Sequence, residues 1–352
     1  MDINNKDLIF SGTKEIAKNL KFDEARLQEW FGDSIPDTGK IIQIAQFKGG
    51  QSNPTYKIST EKKHFVLRRK PPGILLPSAH AVDREYKVIT ALKDTAVPVP
   101  HTYGLCEDRD LIGTEFFVMD FLDGNIYWDL LLKEKSPEER KAIYLNKNKV
   151  IAELHKVNYK DVGLEDYGKP GNYIARQVSR WTKQYLASET KNIPAMNNLI
   201  DWLPKNIPDG DKTSIVHGDY RLDNMVFETD HKVMGVLDWE LSTLGHPIAD
   251  FSYHCMGWRN TPELANEKFC KENGIPTEKE YRDMYSEITG IMLDEHWEFY
   301  AIFNIFKLAG ILQGIMGRVR DGTAASKHAE ERGNMVMPLA ESAWDLVEKN
   351  YK

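Results

Sequence analysis

The sequence predicts an α+β protein of two lobes, a small antiparallel sheet followed by a larger, mostly helical part. Three observations predict it. The 352 residues are too many for one hydrophobic core and suit two. From Ile41 the chain alternates short strand-like runs with turns. After residue 125 the pattern turns helical, apart from one hairpin. The organisation that follows is an N-terminal lobe over residues 1–119, a connector over 120–124 and a C-terminal lobe over 125–352.

Residues 1–40 read as a short helical preamble anchored by Phe22, Leu27 and Trp30. Ile42–Phe47 and Thr55–Ser59 are the arms of a hairpin, turned by the glycine, asparagine and proline of Lys48–Pro54. His64–Arg68 is a third strand, ended by Pro71-Pro72-Gly73. Val82, Tyr86, Ile89 and Leu92 recur at helical spacing over Ala81–Leu92, and Val97-Pro98-Val99-Pro100 breaks that helix. Thr114–Met119 is a further strand. In the second part, Met225–Glu228 and Val233–Leu237 form the hairpin, and Tyr300–Gly317 is a buried amphipathic helix, because Asn304, Lys307 and Gln313 interrupt its apolar run.

Composition narrows the functional classes. A net charge of −7 argues against a nucleic-acid-binding surface. Three cysteines without C-x-x-C spacing argue against a disulfide framework or a zinc site and for a reducing compartment. The first six residues lack the apolar stretch of a signal peptide. The expectation is a cytoplasmic protein that engages neither membrane nor nucleic acid. Oligomeric state is not legible.

The densest chemical signal is His217-Gly218-Asp219-Tyr220-Arg221-Leu222-Asp223-Asn224, with Leu237-Asp238-Trp239 after it. Asp219 and Asn224 are five apart and Asp238 follows fourteen residues later, the spacing that protein kinases use for a catalytic base and two magnesium ligands. Asp219 follows a strand-like run, Ser214–Val216, at a loop that can expose it as general base. Asn224 and Asp238 offer the hard oxygens magnesium prefers, and the hairpin between them brings them together. Arg221 is placed to neutralise charge on a moving phosphoryl group. Upstream, strand alternation puts Val66 and Arg68 on one face, Val66 to line a base pocket and Arg68 to reach nucleotide phosphates. A different register would bring Arg69 or Lys70 there instead. Glu85 on the next helix is the natural brace for Arg68. Gly49–Asn53 lacks the G-x-G-x-x-G pattern; its backbone and Ser52 could cover phosphates or simply turn the hairpin.

With these residues assembled, the chain resembles the aminoglycoside phosphotransferase and choline kinase-like superfamily. It is most similar to the branch that includes the kinase-like domain of acyl-CoA dehydrogenase family members. The motifs HGDYRLDN and LDWE carry the likeness, with Gly50–Tyr56, Val66–Gly73, Ser78–His80, Arg84–Tyr86, Arg176–Tyr185 and Trp239–Pro247. The resemblance implies a two-lobed protein-kinase-like fold with ATP and Mg²⁺ in the cleft. It implies adenine held by the backbone of Asp120 and Leu122, with His217 and Asp250 bracing the catalytic loop and Glu240 lying near the metal or holding structure. It also implies transfer of the γ-phosphoryl group to a hydroxyl, with a hydroxyacyl-CoA as acceptor. Arg176, Arg180 and Gln184 share one helical face that could take the phosphates of coenzyme A. The competing expectations are an aminoglycoside, choline or sugar kinase of the same fold, and a non-catalytic nucleotide-binding pseudokinase.

Overall fold

The computed structural model describes residues 12–49, 52–73, 80–293, 295–322, 331 and 333–352. Gly50, Gln51, Ser78 and Ala79, four of the residues that carry the resemblance, lie outside them.

Six strands build one antiparallel sheet: β1 (Thr13–Lys14), β2 (Ile41–Phe47), β3 (Thr55–Thr60), β4 (His64–Arg69), β5 (Thr102–Cys106) and β6 (Phe116–Asp120), in the order β1-β2-β3-β4-β6-β5. Residue alternation sorts their side chains onto two faces. Phe65 and Leu67 of β4 and Phe116 and Val118 of β6 join Leu27 and Phe31 of helix α1 (Glu24–Ser34) in one core. Val66, Phe117 and Met119 face the other way, toward helix α2 (Val82–Leu92) and the cleft. Both faces are covered, which suits the unbroken apolar run Phe116–Met119 of β6, while β3 and β4 also carry buried polar and charged residues. β5 has no clear sequence signal: it is five residues with Gly104 at its centre and a register shift beside it.

The chain then runs into helices α3 (Pro137–Lys156), α4 (Tyr173–Ser188) and α5 (Pro194–Trp202). Ser136 and Glu139 cap α3 reciprocally, satisfying two of its leading backbone N–H groups. Two small antiparallel pairs follow, β7 (Ser214–Val216) with β10 (Thr243–Gly245), and β8 (Met225–Phe227) with β9 (Val233–Val236). The latter is the expected hairpin. Helices α6 (Pro247–His254), α7 (Glu278–Thr289), α8 (Trp297–Arg320) and α9 (Val336–Tyr351) complete the lobe.

Among the described residues α8 is the one helix long and apolar enough to cross a membrane, and most of its apolar stretch is buried against α4, α6 and α9. Its interior amides are satisfied. Asn304 donates to the Ala249 carbonyl, and Gln313 donates to the Ser188 carbonyl and the Thr190 hydroxyl.

One tight approach locks the start of α3. Gly274 sits at φ +70°, and a Cβ there would lie 2.0 Å from the Pro137 carbonyl oxygen. Gly274→Ala combines left-handed strain with a backbone clash. It is expected to lower unfolding free energy by at least ~1–2 kcal/mol, read as a shifted urea midpoint with unchanged slope.

Candidate active site

The catalytic loop is built around a buried carboxylate. Asp250, at the start of α6, accepts from the backbone N–H of His217 (2.8 Å) and of Gly218 (2.9 Å). His155 of α3 approaches the same carboxylate at 3.3 Å. Burial works to raise the Asp250 pKa; the hydrogen bond and charge of His155 and the backbone hydrogen bond from His217 overcome it and hold the group at about 2. Gly218, at φ +82°, has no room for a side chain: a Cβ would stand 2.7 Å from the Leu241 carbonyl oxygen. His217 accepts from the Asp219 N–H at Nδ1, so Nε2 carries the proton and donates to the Leu237 carbonyl, just before Asp238. The expectation that His217 and Asp250 brace this loop thus corresponds to specific hydrogen bonds.

Asp219 emerges from the loop half-buried. Burial raises its pKa, while the charge of Arg221 pulls it down less strongly. Asn224 donates its side-chain amide to the Asp219 backbone carbonyl (2.9 Å) and to Asp219 Oδ2 (3.3 Å), which turns Asn224 Oδ1 away. The Leu237 N–H donates to the Asn224 carbonyl, so the hairpin holds Asn224 and Asp238 side by side. Among the described residues no group of three His, Cys, Asp or Glu side chains forms a metal cage. One carboxylate plus one amide oxygen fits magnesium, which keeps waters and takes phosphate oxygens for its remaining positions. Asp238 has φ +63°, uncommon for an aspartate, at the sharp exit from β9.

Arg68 ties the lobes together. It is 8% exposed, and its Nε donates to Glu85 at 2.9 Å. Its Nη2 donates to Asp238 at 2.6 Å and lies 3.6 Å from Glu240. Burial opposes its charge, but the three carboxylates more than compensate and keep it cationic. Burial also lifts Glu85 to about 7 against the pull of Arg68. The two register alternatives are spent elsewhere. Arg69 faces the opposite core, donating to the Ile112 and Leu20 carbonyls, and Lys70 pairs with Glu115 and Asp83. Asn53 adds a hydrogen bond to Glu85 (3.0 Å) and Ser52 one to Glu240 (3.1 Å), the latter crossing the cleft.

Val66 lines an apolar slot with Ile89, Met119, Leu122, Val226 and Val236, shaped for a flat base. Asp120 and Leu122 border it; the Asp120 N–H is already given to the His101 carbonyl, which leaves the Leu122 N–H as the donor on this edge. Below Asp219 opens a larger cleft of about 720 Å³, walled by Trp128, Leu130, Lys147, Tyr253, Met256 and Leu308 among others. Arg221 pairs with Asp219 (3.5 Å) and Asp223 (2.7 Å) at its rim.

The predicted stripe on α4 does not join this group. Arg176 is turned back onto the Gly171 and Lys169 carbonyls at the start of its own helix, and Gln184 packs against Gly314 of α8. Arg180 is exposed and, with Arg176 and Lys183, borders a shallow open groove outside the cleft. Sequence reasoning passed over His155, Asn53 and Lys147. His155 and Lys147 look like ordinary positions of an amphipathic helix, and the groups they meet lie far along the chain.

Asp250→Asn places an amide N–H against one of two backbone N–H donors. It is expected to cost roughly 3 kcal/mol in chemical denaturation. Because the folded-state pKa lies below the ordinary 3.8, the Asp250 contribution is present at neutral pH and is lost as pH falls from about 5 toward 2. The acid slope of stability should therefore be shallower in the variant than in the wild type.

Comparison with known proteins agrees with this geometry. The model of the phosphotransferase enzyme family matches residues 43–284. Mouse acyl-CoA dehydrogenase family member 10 is 42% identical over 345 residues, covering 96% of this chain and 32% of its own length. The chain spans less than half the length of such curated relatives. The crystal structure of a candidate aminoglycoside phosphotransferase from Ralstonia eutropha is 48% identical with a TM-score of 0.86, covering 94% of this chain and 99% of that one. A distant aminoglycoside phosphotransferase, in ternary complex with ADP and hygromycin B, shares the fold at 12% identity and a TM-score of 0.60, over 92% and 98% of the two chains. By the span of the family match and by near-complete overlap with a 48% identical structure, the chain belongs to the phosphotransferase enzyme family and has its two-lobed, kinase-like fold.

Proposed function

We propose that the protein is an ATP- and Mg²⁺-dependent kinase that transfers the γ-phosphoryl group to a hydroxyl of a small molecule. The observation that carries this reading is the convergence of Asp219, Asn224 and Asp238 beneath an arginine braced by Glu85. A scaffold that only binds nucleotide has no need of all three. The distant neighbour's complex with ADP supports an adenine nucleotide in the slot around Val66.

The chemistry follows from placement. The acceptor hydroxyl enters the large cleft and donates to Asp219, which orients it and takes its proton as the new O–P bond forms. The bond between the γ-phosphorus and the bridging oxygen breaks, and ADP leaves with that oxygen. Arg68 and Arg221 oppose the negative charge of the phosphates. Asn224 and Asp238 would hold magnesium, which supplies charge neutralisation and orientation of the phosphate chain. Arg68 must then share Asp238 with the metal.

For the acceptor, we infer a hydroxyacyl-CoA. The acyl-CoA dehydrogenase names of the relatives support an acyl-CoA, and the open groove at Arg180 and Lys183 offers cations for its phosphates. An aminoglycoside is the rival of the same fold. Among the described residues, however, the cleft wall beyond the catalytic loop carries Lys147 and no carboxylate apart from Asp238 and Glu240, which face Arg68. A polycation finds little there to hold it.

The test is ADP release with Mg-ATP against hydroxyacyl-CoA esters, choline, sugars and aminoglycosides. Asp219→Asn is expected to lower kcat on the order of 10²–10⁴-fold with little change in KM for ATP. Turnover intact in that variant would sink the assignment. The base works deprotonated and its pKa is raised, so kcat/KM should fall on the acid side at a pH above the ordinary aspartate value of 3.8.

A further inference from the structure

Among the described residues that line the cleft, Lys147 is a buried cation that the phosphoryl-transfer reading leaves without work. It projects from the middle of α3, is 1% exposed, and lines the wall of the large cleft. Its ammonium sits among aromatic faces: 4.2 Å from the ring of Tyr144 on its own helix, 5.7 Å from Tyr281 of α7 and 5.8 Å from Trp258. Among the described residues no carboxylate lies within ion-pair distance of it. The other ionisable groups that face it are His254 and Cys255. His254 holds its position by donating from Nδ1 to the Tyr220 carbonyl, and its Nε2 pairs with the Tyr281 hydroxyl. Burial and then the charge of Lys147 push its pKa well down.

The placement relative to the reacting atoms is fixed. The Tyr220 hydroxyl donates to the Lys147 backbone carbonyl at 2.9 Å, and Tyr220 is the residue after Asp219. A buried ammonium without an anion is costly, and burial, opposed in part by Cys255, brings the Lys147 pKa down to about 7. Aromatic faces offset part of that cost but do not accept its N–H donors. An oxygen of a molecule that enters the cleft can do so.

We propose that Lys147 is the acceptor-recognition residue of the cleft, donating to an acyl oxygen, carboxylate or thioester carbonyl, of the molecule whose hydroxyl faces Asp219. This rests on the small-molecule kinase reading above. A single point charge between flat walls suits a planar acyl group. A phosphate is ordinarily gripped by an arginine fork or several converging N–H groups. The two arginines that line this cleft, Arg68 and Arg221, are each engaged by carboxylates at its nucleotide end and rim. The same ammonium excludes acceptors that are themselves cations.

The test measures binding apart from turnover. Four- and eight-carbon 3-hydroxy acids, their CoA thioesters and the matching diols are titrated calorimetrically into the full chain with Mg²⁺ and AMP-PNP. The wild type should bind at least one acyl probe tenfold or more tighter than its diol, and the arm that binds tells carboxylate from thioester. Lys147→Met and Lys147→Gln should each erase that preference while AMP-PNP affinity, which reports an intact cleft, stays unchanged. Diols that bind as well as every acyl probe, or variants that keep the preference, overturn the proposal. A preference that depends on Lys147 without ADP release from any probe would count against phosphoryl transfer and leave Lys147 standing.

Discussion

The ion-pair knot at Arg68 is the constraint on which the rest of this site depends. One guanidinium, nearly out of solvent, is shared by Glu85 of the sheet lobe and by Asp238 and Glu240 of the helical lobe. Buried pairs gain little over apolar packing, but a broken one leaves an uncompensated charge at a cost of about 3–5 kcal/mol. Glu85 is 1% exposed and cannot relax into water. The knot therefore sets where β4, α2 and the turn at Asp238 stand relative to each other. Asn53 and Ser52 extend it into the loop above the cleft, one through Glu85 and the other through Glu240.

Charge is unevenly divided across the cleft, and the division has a chemical meaning. Asp219, Asp223, Asp238, Glu240 and Glu85 crowd one side against Arg68 and Arg221. That surplus of negative charge near the nucleotide end suits a divalent cation, because phosphates alone would be repelled. Asp219 and Glu240 both have pKa values raised by burial, with Asp238 adding repulsion in each case. A divalent cation would relieve the repulsion from Asp238 but not the burial that does most of the raising.

Much of this was legible in the sequence, and what was legible was local. Asp219, Asn224 and Asp238 sit on one loop and one hairpin, so spacing alone brings them together. Val66 and Arg68 followed from strand alternation, which the split of β4 between two cores bears out. What could not be read depends on side chains meeting across long stretches of chain. His155 meets Asp250 across 95 residues, and Ser52 meets Glu240 across 188. β5 is too short and too glycine-interrupted to announce itself. The α4 stripe shows the opposite failure: its periodicity was genuine, but Arg176 spends its donors on backbone carbonyls at its own helix start, so shared spacing was no guide to shared purpose.

The same distinction explains why the acceptor is harder to read than the reaction. Phosphoryl transfer asks every family member for the same few groups at the same few distances, and a compact motif can encode them. The cleft wall proposed for the acceptor draws single residues from many elements: Trp128 and Leu130 precede α3, Lys147 lies within it, Tyr253 is in the last turn of α6 and Leu308 belongs to α8. None has a spacing to recognise. What distinguishes Lys147 is physical. Its ammonium faces rings in place of an anion at the cleft wall, and only the folded arrangement makes that visible.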